Sequence, residues 1–182
     1  MGTDEHPNIR RARFEELARA ELIEPLRRFL TRRTDPATAD DVLSETLLVC
    51  WRRFDELPDD APLPWAYGVA RNCLANARRS RHRQERLAAR VAAVAAPQED
   101  PDPAGSRDVV LHEALGRLRE DEAELLRLWA WEQLTPAEIA TVLDVTPNAV
   151  SIRLLRAREK LKAEIGKFEA GAGHEQSEGG TR

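Results

Sequence analysis

The residues best suited to chemistry in this chain lie in one stretch, Leu134–Leu161, LTPAEIATVLDVTPNAVSIRLLRAREKL. What they offer is charge and hydrogen bonding, not a nucleophile. From Ser151 to Lys162 three arginines and two lysines stand against one glutamate, a net of +4. Arg153, Arg156 and Arg158, with Asn148 and Ser151, are the side-chain types that satisfy base edges and phosphate oxygens. A second basic island, Ala61–Ala96, holds seven arginines and one glutamate, a net of +6. Residues 97–110 between them carry four acids and one arginine, a net of -3. The whole-chain charge of -4 argues against a uniformly basic coat and is compatible with two local footprints.

Catalytic signatures are missing. There is no Gly-rich phosphate loop, no serine elbow and no HExxH, so neither an enzyme nor a cofactor is expected. The histidines, His6, His82, His112 and His174, are too scattered for a metal site. Cys50 and Cys73 each fall inside an apolar helical pattern and read as reduced core thiols. The sequence shows neither a cleavable leader pattern nor eighteen consecutive apolar residues. Neither secretion nor membrane insertion is expected, and the cytoplasm is the expected compartment.

The elements that must position these groups are helices. The chain's 182 residues suit one ordinary domain or two small ones, and with only 5% aromatics the cores must be mostly aliphatic. Phe14, Leu17, Leu22, Leu26 and Phe29 mark a helical pattern over Ile9–Thr31, with Pro25 demanding a kink or a division. A break follows at Thr34–Ala37. Leu43, Leu47, Cys50, Trp51 and Phe54 then give a helix over Ala39–Phe54 one buried face. After a short acidic, proline-containing loop, Pro64 opens a further helix running to at least Ala77. The expected fold is all-α, with two small helical domains at 9–90 and 109–168. A flexible acidic, Pro-rich linker covers 91–108 and a disordered tail 169–182.

Within the second domain Thr135 caps a short helix beginning at Pro136, with Glu138 completing a capping box. Thr146 and Pro147 repeat the device for a longer helix whose stripe is Val150, Leu154, Ala157 and Leu161. Two capped helices around a short turn make a helix-turn-helix, the second helix suited to the major groove. With the stripe inward, Asn148, Ser151, Ile152, Leu155 and Arg156 face out, and Arg153 and Arg158 flank the core. Ile152 and Leu155 suit thymine methyls or a protein partner better than bare solvent.

These motifs together resemble the group IV (extracytoplasmic function) sigma factors of the sigma-70 family of bacterial RNA polymerase. The helix-turn-helix resembles region 4, which reads the promoter's -35 element. DDVLSETLLVCWRRF (Asp40–Phe54) resembles the region 2 helix that docks on the polymerase, and PWAYGVARNCLANARR (Pro64–Arg79) the helix beside the loop that opens the -10 element. The likeness spans about residues 13–90 and 109–165. It implies core RNA polymerase and promoter DNA as partners and regulation by an anti-sigma factor.

Carried onto this chain, it implies polymerase contact through Asp41, Glu45, Val49 and Arg52. It implies -10 contact through Tyr67, Arg71, Arg78 and Arg79, and -35 contact through Asn148, Ser151, Ile152, Arg153, Arg156 and Arg158. On the wheels Val42 and Leu48 share the outward face of the first helix, and Tyr67, Arg71, Leu74 and Arg78 that of the second. Trp65, Val69 and Cys73 face in, with Asn76 near them. Two features depart from the family pattern: the acidic loop 55–62, and Asn76 where aspartate is common. The competing reading is a free-standing helix-turn-helix transcriptional regulator, with residues 9–90 serving dimerisation or ligand binding.

Overall fold

The computed structural model describes residues 7–89 and 106–174. Arg90, most of the expected linker and the end of the tail lie outside them. The described residues are all-α and fall into two compact units. The N-terminal unit is built on α1 (Pro7–Leu17), α2 (Ile23–Thr31), α3 (Pro36–Arg52) and α4 (Pro62–Ala89). The C-terminal unit holds α5 (Ser106–Gly116), α6 (Glu120–Ala130), the start of α7 (Pro136–Leu143), and α8 (Pro147–His174).

Pro25 is accommodated without a break. A π-turn at Ala18–Leu22 separates α1 from α2, with the Ile23 N–H donating to the Ala18 carbonyl. The proline then falls in the first turn of α2, where its missing N–H costs little. Leu22, Leu26, Phe29 and Leu30 along this segment are fully buried. The next helix starts three residues before the expected Ala39. Asp35 is its N-cap, accepting from the Thr38 N–H at 3.0 Å, and Pro36 follows at the first position. What the sequence presents as a break is therefore a cap.

α3 packs on α2 and α4 through Ala39, Val42, Leu43, Thr46 and Cys50. Val42 is thus core, correcting its assignment to the outward face. Thr46 is buried because its hydroxyl donates to the Val42 carbonyl at 2.7 Å, leaving its methyl for packing. Cys50 and Cys73 are free and buried, as expected, and burial pushes the Cys50 thiol up to about 12. After a 3-10 turn at Phe54–Glu56, α4 begins at Pro62, two residues before the expected Pro64. Its buried arc takes in Ala66, Tyr67, Val69, Ala70, Cys73 and Leu74.

In the C-terminal unit α6 and α8 form the main packed pair, with α5 against α8. Ala114, Leu115, Ala123, Leu125, Leu126, Leu128, Ile139, Val150, Leu154 and Ala157 are buried. Two boundaries differ from expectation. Helix α5 begins at Ser106, inside the expected linker, and α8 continues six residues past Phe168, into the expected disordered tail.

The cap of α3 generates a pH prediction. The Thr38 N–H, then the Thr38 hydroxyl and Arg81, hold the Asp35 carboxyl well below the usual carboxylate range. A folded-state pKa below the unfolded one contributes stability that is whole above about pH 4 and drains away as pH falls toward the folded value. Asp35→Asn keeps the capping acceptor and loses the charge facing Arg81. The wild type should melt above this variant at pH 7, and the gap should narrow progressively as pH falls below about 4. A constant gap across that range would contradict the assignment.

Candidate functional site

The helix-turn-helix is built as its sequence demands. The Thr135 hydroxyl accepts from the Glu138 N–H at 3.3 Å, and Glu138 reaches back to the Thr135 N–H at 2.7 Å. α7 ends at Asp144, whose left-handed backbone (φ 54°) closes the turn with its N–H on the Ala140 carbonyl. Thr146 accepts from the Ala149 N–H at 3.3 Å and starts α8. The stripe Val150, Leu154 and Ala157 is buried and Leu161 half-buried.

That orientation leaves Asn148, Ser151, Ile152, Arg153, Leu155, Arg156 and Arg158 exposed, Ile152 at 45% and Leu155 at 60%. Ser151 donates to the Pro147 carbonyl at 3.0 Å, so its hydroxyl is oriented to accept from a base amino group more readily than to grip phosphate. Arg158 lies over Trp129, guanidinium to ring centroid 4.7 Å. The sequence reading did not single out Trp129, which is exposed at the end of α6.

On α3, Asp41, Glu45 and Arg52 are exposed and Val49 is half-buried, with Leu48 exposed on the same helix. The groove between α3 and α4 beside them is lined by Thr38, Asp41, Glu45, Ser80, Arg81 and Gln84. Arg81 bridges it, bonding to Asp35 at 3.2 Å and to the Thr38 hydroxyl.

The helix assigned to the -10 element needs correction. Tyr67 is 3% exposed, its ring 4.9 Å from that of Phe29, so it is core and not a platform for a base. Leu74 is likewise buried, and Asn76 is exposed, accepting a hydrogen bond from Arg79. Arg71 is exposed, and Arg78 donates to the Arg33 carbonyl at 2.8 Å. Near the loop the half-buried ring is Trp65, with the Arg53 guanidinium 5.1 Å from its centroid. Among the described residues no His, Cys, Asp and Glu cluster fits a metal ion, and no helix is long and apolar enough to cross a membrane.

Comparison with known proteins bears directly on this arrangement. Residues 20–84 match the family Sigma-70 region 2, and residues 108–161 match Sigma-70, region 4. The chain is 31% identical over 140 residues to the RNA polymerase sigma factor CarQ of Myxococcus xanthus, covering 73% of this chain and 78% of CarQ. The chain belongs to the sigma-70 family, in its group IV (extracytoplasmic function) class.

It is 30% identical over 140 residues to the probable sigma factor RfaY of Xanthomonas campestris pv. campestris. That match covers 72% of this chain but only 35% of RfaY. Its fold resembles the sigma factor RpoE solved with the anti-sigma factor NepR from Bartonella quintana. The TM-score is 0.62 at 22% identity, covering 86% of this chain and 98% of that one. Sigma factors bind core RNA polymerase and direct it to promoters. They are specificity subunits and not enzymes, so the absence of a catalytic motif is in keeping with the class.

The burial of Tyr67 in this sigma factor generates a test that separates core from contact. Tyr67→Ala should lower the unfolding free energy by about 3 kcal/mol or more, as large-to-small changes at buried rings do. Tyr67→Phe, which keeps the ring, should cost about 1 kcal/mol. Chemical denaturation followed by circular dichroism reads both. Unaltered stability in Tyr67→Ala would return the ring to the surface.

Proposed function

We propose that this sigma factor docks on core polymerase through α3, captures the melted -10 strand beside the start of α4, and reads the -35 element with the first turns of α8. The single observation that carries the proposal is the exposed face of α8 on a fully capped helix-turn-helix, in a chain matching both sigma regions in order. Residues 9–90 and 109–168 are the two working domains, each meeting its own promoter element. The cytoplasm, where polymerase works, is its place of action.

On α3 the docking residues are Asp41, Glu45, Val49 and Arg52, joined by the exposed Leu48. Charges around aliphatic groups favour a protein-facing surface. For the -10 strand Arg71 and Arg79 remain candidates, with Trp65 in place of Tyr67 as the ring. Arg78 serves chiefly to tie α4 to the end of α2. On α8, Asn148, Ser151, Ile152 and Arg156 address bases, while Arg153 and Arg158 address phosphate. The exposed aliphatics on both units also favour capture by an anti-sigma factor, as in the Bartonella protein of like fold.

Two experiments test these assignments. Glu45→Arg with Val49→Arg places unpaired charge in the docking face, and should abolish stoichiometric co-elution with core polymerase while the helical content is retained. Unchanged co-elution would remove α3 from the contact. At the other end, Arg156→Ala in holoenzyme should cost about 1–3 kcal/mol at a matched -35 element and relax discrimination against a scrambled one. Arg158→Ala should weaken both elements alike and reduce the salt slope by about one. The reverse pattern would exchange the two roles.

A further inference from the structure

The loop that follows α3 is acidic, an odd property for a surface meant to hold a DNA strand. Two of its acids are, however, taken up by arginines of the protein itself. Arg10, on α1, lies with its guanidinium 4.3 Å from the centroid of the Trp51 ring. It donates from Nη2 to the Trp51 carbonyl at 3.1 Å, and from Nε and Nη2 to the two Asp55 carboxylate oxygens at 3.3 Å each. Phe14 packs on both Trp51 and Phe54 at 5.4 Å and closes the cluster. Beside it, Arg53 pairs with Glu56 and stacks toward Trp65 of α4.

We propose that Arg10 is a positioning residue for promoter opening: anchored on Trp51 and Asp55, it fixes the start of the loop at 57–61 and touches no DNA itself. The inference rests on the reading of that loop and the start of α4 as the -10 surface. Its physical basis is preorganisation. A strand is held best by a loop that need not be ordered at the moment of binding. The far end of this loop is secured by buried Pro62 and Pro64, and Leu57 is buried at its near end. Upstream of Leu57 the chain is held by Arg10.

The ion pair is the minor part of this brace, because the Asp55 side chain is 79% exposed and its attraction is screened. The ring face and the Trp51 carbonyl, met by an arginine side chain that is 24% exposed, supply the fixed geometry. Lysine carries the charge but lacks the planar fork that meets ring, carbonyl and carboxylate together. Arg10 also offsets, at the mouth of the loop, a carboxylate that would otherwise repel an approaching phosphate.

The test uses holoenzyme assembled from the full chain and core polymerase. The probe is a fluorescent single-stranded DNA chosen from a random pool by the wild-type holoenzyme. Arg10→Ala should weaken capture of that strand about three- to tenfold, with core affinity within about twofold of wild type. Arg10→Lys should recover only part of the loss, and Asp55→Asn should lose less than Arg10→Ala.

A control addresses the loop itself. Asp59→Lys with Asp60→Lys must alter capture if the loop meets DNA, and no change there would overturn the reading of the loop and this inference with it. With that control positive, unchanged capture in Arg10→Ala overturns the inference alone. So does a loss that merely follows falling core affinity and melting temperature, or full recovery in Arg10→Lys.

Discussion

The fully buried ring of Phe29 meets Tyr67 of α4 at 4.9 Å, and the Arg33 guanidinium lies 3.7 Å from its centroid. Arg33 is also bonded through Nη1 to the Phe29 carbonyl at 2.8 Å, while its own carbonyl accepts from Arg78. Two residues later Asp35 caps α3 and receives Arg81. Residues 29–38 thus join the end of α2, the beginning of α3 and three residues of α4, Tyr67, Arg78 and Arg81, at one corner. The outward face of α3 and the basic end of α4 inherit their direction from that corner. The outward face of α3 is set by where its cap begins, and the basic end of α4 by the two arginines it spends there. In a chain with a single tyrosine, burying that tyrosine at the corner is a strong constraint on what is left to meet DNA.

This constraint also explains where sequence reasoning succeeded and failed. The recognition helix was legible because it packs along one narrow stripe, and because paired threonine–proline caps fix its start independently of the stripe. Helix α4 was not, because it packs against both α2 and α3 and so buries a wide arc. A wheel drawn around Trp65, Val69 and Cys73 leaves Tyr67 and Leu74 outside, yet both are buried, as are Ala66 and Ala70. Val42 was misplaced for a related reason. The buried stripe of α3 passes through Thr46, whose polarity disguises it until its hydroxyl is seen bonded to the preceding turn.

Arginine duty was the least legible feature, since composition cannot separate a cation that braces the fold from one offered to a partner. Arg10 meets Asp55 across 45 residues of sequence, Arg78 meets the Arg33 carbonyl across 45, and Arg81 meets Asp35 across 46. Separations of that size are invisible to a window of helical periodicity. Pairing of the same kind reduces the conflict between an acidic loop and its proposed role toward DNA. Asp55 and Glu56 are held by Arg10 and Arg53, and the Arg53 bond keeps the Glu56 carboxyl below its ordinary range. What the sequence presents as a block of negative charge is, at its upstream end, two neutralised pairs.

Helix α8 shows the same division along one element. Two of its later cations turn to the domain: Lys160 pairs with Glu122 of α6, and Lys167 with Glu164, which Arg117, just after α5, also approaches at 3.7 Å while stacking on Phe168. Its earlier ones, Arg153 and Arg156, are exposed beyond the buried stripe, with Arg158 on Trp129 at the changeover. A net positive helix in a net negative chain is therefore not a uniform basic rod. Carboxylates of α6 and of α8 itself thus pair with Lys160 and Lys167, and Arg153 and Arg156 stay exposed in the earlier turns. Those turns are also the ones a helix-turn-helix inserts in the groove. The fold thus leaves exposed arginines at that end and ties Lys160 and Lys167, farther along the helix, to carboxylates of the domain.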